Sequence, residues 1–75
     1  MEITNTFFQG DVFFGIVEIL EGSNEWAVRF VYSPYYFDFF IDNEDKDNSE
    51  FLQFIDEHYD ELVMLIDQAR EEKQR

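Results

Sequence analysis

The stretch Val12 to Tyr32, VFFGIVEILEGSNEWAVRFVY, decides the fold class. Two apolar runs, VFFGIVEIL (12–20) and EWAVRFVY (25–32), flank EGSN, whose Gly22, Ser23 and Asn24 suit turn positions, so the stretch reads as a β-hairpin. Downstream, Ser33-Pro34 precedes a further run, YYFDFFI (35–41). Proline has no N–H for a ladder, so it marks a second turn or the start of an edge strand. Upstream, EITNTFF (2–8) supplies a weaker fourth strand. The expected sheet is an antiparallel meander of three or four strands, over about 2–8, 12–20, 25–32 and 35–41.

Beyond residue 47 the pattern becomes helical. Asp47 with Glu50 three residues on resembles a capping box, with Asn48 and Ser49 as competing caps. Leu52, Ile55, Tyr59, Leu62, Ile66 and Ala69 then recur at spacings of three and four, and Phe51, Val63 and Leu65 widen the stripe. Arg70, Lys73 and Arg75 sit near the end, where cations favour the helix dipole. This predicts one amphipathic helix over about 48–72, packed on one face of the sheet. The fold class is therefore α+β, β-β-β-α or β-β-β-β-α, as one small acidic domain across 1–75.

Strand alternation sorts the side chains into faces. Tyr35, Phe37, Phe39 and Ile41 point one way, and Tyr36, Asp38 and Phe40 the other. Trp26, Val28, Phe30 and Tyr32 form a core set, whereas both faces of 12–20 are apolar. One helix covers one face, so Phe13, Val17, Ile19, Tyr36 and Phe40 supply candidates for an uncovered patch of the kind that marks contact sites. The competing expectation is that ITNTFF folds over them.

Charge bounds the function. Eighteen acids against five Lys and Arg leave a net charge of −13, well outside the magnitude of about 2 to 8 usual for a small domain. Disorder is opposed by the 45% hydrophobic and 20% aromatic content. The charge is uneven. Residues 1–34 carry five acids against Arg29, a net of −4, and residues 35–75 carry thirteen acids against four bases, a net of −9. Phosphate contacts need Lys and Arg, so direct nucleic-acid binding is not expected; attraction to the basic surfaces that bind nucleic acids is.

Chemistry finds little support. The chain has no cysteine and one histidine, which removes disulfides and the usual zinc sets. An EF-hand loop begun at Asp45 meets Glu50 where glycine is required, and one begun at Asp42 meets Lys46 at its fifth position. His58, between Glu57 and Glu61 at the edge of the apolar stripe, reads as a packing residue. No nucleophile motif or glycine-rich phosphate loop is present. No catalytic residue, metal or cofactor is expected. MEITNTFF lacks the features of a signal peptide, and no apolar run is long enough to span a membrane. A cytoplasmic location is expected, in the host cell if the gene is a phage's.

The acids themselves are the candidate site. From Asp38 to Glu61 the chain holds Asp38, Asp42, Glu44, Asp45, Asp47, Glu50, Asp56, Glu57, Asp60 and Glu61 against Lys46 alone. Those before residue 50 suit the approach to a helix N-terminus. From Glu50 to Glu61, five charges span about 16 Å of helix, roughly one per 3 Å, close to the spacing of about 3.4 Å per phosphate along one DNA strand. In size and charge the chain resembles the small acidic inhibitors that phages use against CRISPR, restriction and repair systems. The acids point to a DNA mimic on a basic nucleic-acid-binding protein or complex, with Phe13, Tyr36, Phe40 and Phe54 as the expected aromatic contacts. The alternative expectations are an immunity- or antitoxin-like protein or adaptor anchored by those aromatics, and a homodimer.

Overall fold

The fold is α+β, seen in a computed structural model that describes residues 1–74. Strands β1 (Glu2–Gln9), β2 (Val12–Glu21), β3 (Asn24–Ser33) and β4 (Tyr36–Phe40) form one antiparallel sheet in the order β1-β2-β3-β4, the expected meander in its four-strand form. A 3₁₀ turn (Asn43–Asp45) and two helices, α1 (Ser49–Glu57) and α2 (Tyr59–Gln74), complete the chain. By contacts the chain divides into two compact units, Met1–Ile41 and the segment from Asp42 onward.

Three two-residue turns set the register of the sheet. Gln9 opposes Val12 around Gly10-Asp11, Glu21 opposes Asn24 around Gly22-Ser23, and Ser33 opposes Tyr36 around Pro34-Tyr35. Gly10 and Gly22 open their turns at φ of 65° and 62°, the conformation that a II′ hairpin asks of its first residue. Pro34 presets φ for the third turn. Its neighbour Ser33 accepts from the Tyr35 N–H and donates to the Tyr36 carbonyl, both at 3.3 Å. Within β1 the register shifts between Thr4 and Phe7, where Asn5 adopts a left-handed φ of 53°. Asparagine tolerates that conformation, and the resulting bulge interrupts an otherwise flat edge strand.

This register decides which face is core. Phe8, Phe13, Tyr32 and Phe37 are cross-strand neighbours and make an all-aromatic row over four strands. Their rings meet at 4.9 Å for Phe8 and Phe13 and at 5.7 Å for Tyr32 and Phe37. The next rows hold Gly15 beside Phe30 and Phe39, then Val17 beside Val28. Gly15 is required here because a Cβ would lie 2.7 Å from the Phe30 ring and 3.0 Å from Thr6. Phe13, Val17, Ile19, Val28 and Phe30 are all buried.

The expectation that Phe13, Val17 and Ile19 line an uncovered patch is therefore overturned. They share the buried face with Val28 and Phe30, and it is Phe14, Ile16 and Leu20 that point the other way. The alternation in the last strand agrees with expectation: Phe37 and Phe39 are half-buried, while Tyr36, Asp38 and Phe40 are exposed. Tyr35, expected in that strand, is instead an exposed turn residue.

The segment from Asp42 onward differs from the single helix expected. Its N-cap is Asn48, not Asp47: the Asn48 side chain accepts from the Phe51 N–H at 3.2 Å. The helical stretch breaks at His58, which closes α1 at φ −108° and ψ 18°. The His58 N–H and its Nδ1 both lie 3.0 Å from the Phe54 carbonyl, so that one oxygen serves a backbone and a side-chain donor. The imidazole also stacks on the Phe54 ring at 4.1 Å. Backbone bonds persist on both sides of His58, from its N–H to the Phe54 carbonyl and from the Leu62 N–H to the His58 carbonyl at 2.9 Å. Phe51, Phe54, Ile55, Leu62 and Ile66 are buried. Among the described residues no helix is long and apolar enough to cross a membrane.

Candidate protein-binding surface

Two surface features emerge from this framework, an acidic one and an aromatic one. The acids expected from sequence divide between the units, with Asp38 in β4 and the other nine from Asp42 onward. Asp42, Glu44 and Asp45 belong to the 3₁₀ turn and its cap, Asp47 precedes the Asn48 cap, and Glu50, Asp56 and Glu57 lie on α1. Asp60 and Glu61 open α2, where the helix dipole favours negative charge. All ten are exposed except Asp45, which is half-buried. Glu57 accepts from the Gln53 amide at 2.8 Å. Asp38 accepts from the Tyr36 hydroxyl at 3.0 Å and the Phe39 N–H at 2.8 Å. The bond to Asp38, reinforced by its charge, holds the Tyr36 phenol above its usual titration range.

The aromatic contacts expected from sequence split. Tyr36 and Phe40 are 56% and 44% exposed. Phe13 is 0% and Phe54 8% exposed, so neither presents its ring to a partner. In their place the open sheet face carries residues that sequence reasoning missed. Phe7, Phe14, Val31 and Asp38 form one cross-strand row, and Thr4, Ile16, Arg29 and Phe40 the next. Phe7 and Phe14 stack face to face at 5.0 Å with planes 12° apart, although Phe7 is 52% exposed. The Arg29 guanidinium stands 5.9 Å over the Phe40 ring, within cation–π range. A shallow depression of about 400 Å³ runs between these side chains, lined by Phe7, Phe14, Ile16, Arg29 and Phe40.

Carboxylates border this depression. Glu2 and Glu18 are direct cross-strand partners, and Glu25, opposite Leu20, shares their face. Glu2, Glu18 and Glu25 line a second depression of about 420 Å³ beside Leu20 and Trp26. Asp38 stands at the other side. Like charges placed directly opposite destabilise a sheet, so the Glu2–Glu18 pair carries a cost that a bound cation would relieve.

Among the described residues no group of three or more His, Asp or Glu side chains is placed to hold a metal. The chain matches no protein-family model, no curated protein and no solved structure.

Proposed function

We propose that the protein is a non-enzymatic binding protein that occupies a basic, nucleic-acid-binding surface of a partner protein or complex, its acids standing where phosphates would. The observation that carries this reading is the exposure of nine of the ten acids from Asp38 to Glu61, in a segment with Lys46 as its one base. Five of them lie on the two helices, Glu50, Asp56 and Glu57 on α1 and Asp60 and Glu61 in the first turn of α2. Such a field accelerates encounter with a basic cleft and is screened by salt.

The test is capture of partners from a host lysate at low and high salt, with double-stranded DNA as competitor. The expected result is retention of a nucleic-acid-binding protein that is lost between about 50 and 200 mM salt and displaced by DNA. Reversing Asp56, Glu57, Asp60 and Glu61 to lysine abolishes it. Capture that survives both high salt and that reversal contradicts the mimic. It would favour the second reading, an immunity-like or adaptor protein held by aromatic anchors, which the exposed rings of Phe7 and Phe40 support.

A further inference from the structure

The open face of the sheet has a composition that the acidic mimic does not need. Residues 1–41 contain six carboxylates, Glu2, Asp11, Glu18, Glu21, Glu25 and Asp38, against Arg29. Four of the six, Glu2, Glu18, Glu25 and Asp38, share the face that carries Phe7, Phe14, Ile16 and Phe40. Its centre is apolar apart from Arg29, which stands over the Phe40 ring, and its border is anionic. Interfaces commonly pair a desolvated apolar anchor with a polar rim, and here the sign of the rim selects the partner's charge.

We propose that this face is a docking surface for a basic protein segment that presents one aromatic or aliphatic side chain between lysines or arginines. The apolar side chain seats in the depression between the stacked Phe7–Phe14 pair and Phe40, and the flanking cations meet Glu2, Glu18 and Glu25 on one side and Asp38 on the other. Charge argues against a second copy as occupant. Two such faces brought together would set eight carboxylates against two Arg29 side chains, and juxtaposed like charges oppose association. The inference rests on the reading that the chain binds a basic protein. It adds where the specificity resides: in the sheet face, with the acids from Asp42 onward serving attraction.

The probes are two amidated tripeptides, Lys-Trp-Lys and Lys-Lys-Lys, titrated into the labelled protein while backbone and ring signals are followed by NMR. The expected result is that Lys-Trp-Lys shifts the rings of Phe7, Phe14 and Phe40 saturably. It should bind about tenfold tighter than trilysine, as an added buried aromatic contact allows. Phe7→Ser with Phe40→Ser removes that advantage while trilysine binding is kept. Should this pair unfold the sheet, Glu18→Lys with Glu25→Lys, both at exposed positions, provides the same readout through a several-fold loss for Lys-Trp-Lys. Equal affinity for the two peptides, or shifts confined to 42–61, overturns the docking surface and leaves the acidic mimic standing. Weak, indistinguishable binding of both peptides even at low salt overturns both. A concentration-dependent dimer dissolved by Phe7→Ser with Phe40→Ser overturns the proposal in favour of a second copy.

Discussion

Phe13 and Phe40 are both strand phenylalanines next to a second aromatic or apolar residue, yet the register gives them opposite environments, and truncating each to alanine measures that difference. Phe13 has no exposed surface and touches the Phe8 and Phe30 rings at 4.9 and 5.6 Å. Phe→Ala at such a site costs about 3–5 kcal/mol, transfer and cavity together. A chain of 75 residues has a total stability of about 4–11 kcal/mol, at 0.05–0.15 kcal/mol per residue. Phe13→Ala therefore removes a large share of it. Phe40 loses about half of a phenylalanine's burial contribution, roughly 1–1.5 kcal/mol, and a cation–π contact with Arg29 of about 0.5 kcal/mol at an exposed site. Urea unfolding followed through Trp26 fluorescence reads both. With a slope of about 1–2 kcal/mol per molar, Phe13→Ala moves the midpoint down by about 1.5–5 M and Phe40→Ala by about 0.75–2 M, and at any one slope the first shift is the larger. Should Phe13→Ala cost no more than Phe40→Ala, or should Phe13→Asp still fold, the assignment of the buried face is wrong, and the docking surface built on the opposite face falls with it.

Gly15→Ala forces the buried Phe30 ring away from a new Cβ 2.7 Å distant, an overpacking cost of about 1–3 kcal/mol that exceeds the gain of about 0.4–1 kcal/mol from a stiffer unfolded chain. A thermal midpoint at or above that of the parent would refute the contact. Asn48→Ala removes the bond to the Phe51 N–H and costs about 1 kcal/mol, read as faster amide exchange in the first turn of α1. Asp38→Asn lowers the Tyr36 titration toward the usual value by removing the carboxylate that accepts its hydroxyl and repels its phenolate. Because the folded value is raised, the bond's contribution is present below the unfolded-state value near 10 and is lost as pH rises through the folded one; an NMR titration of the Tyr36 ring that does not move in the variant excludes the coupling. Finally, added sodium chloride should raise the urea midpoint, since a net charge of −13 repels itself most at low ionic strength.

The sequence reveals the strands more readily than it reveals the faces. The meander is legible because Gly10, Gly22 and Pro34 punctuate three runs of β-branched and aromatic residues, each glycine sitting where a positive φ is needed. The buried face of β2 was less accessible because Phe13-Phe14 and Ile16-Val17 make both sides apolar. Hydropathy cannot choose between such sides. The information lay in turn length: a two-residue loop with Glu21 opposite Asn24 forces Phe13 opposite Tyr32 and Val17 opposite Val28, so the odd residues of β2 join the even residues of β3. The break at His58 was masked for a different reason. The apolar spacing runs through it without a glycine or proline, and the break is confined to the backbone of His58, at φ −108° and ψ 18°, which periodicity does not register. The acids were fully legible as charges, but the Phe7–Phe14 stack depends on the bulge at Asn5, which shifts the pairing of β1 by one residue.

Charge and apolar surface together bear on whether the acids serve only to keep molecules apart. Dispersal requires a net charge of about 2 to 8 in magnitude in a domain this small, and it requires no particular placement. Here Glu2 faces Glu18 across a strand pair, a position that costs stability. Phe7, Tyr36 and Phe40 remain exposed on that same face, where polar side chains would be the simplest route to dispersal. A surface shaped by dispersal alone would separate its carboxylates and replace those rings. Exposed rings bordered by mutually repelling carboxylates lower their free energy together when a cation-flanked apolar group arrives, because one ligand removes ring surface from water and relieves the repulsion at once. Under the proposed function, the same two features that weaken the free protein would strengthen its attachment to a basic partner, so recognition accounts for both together.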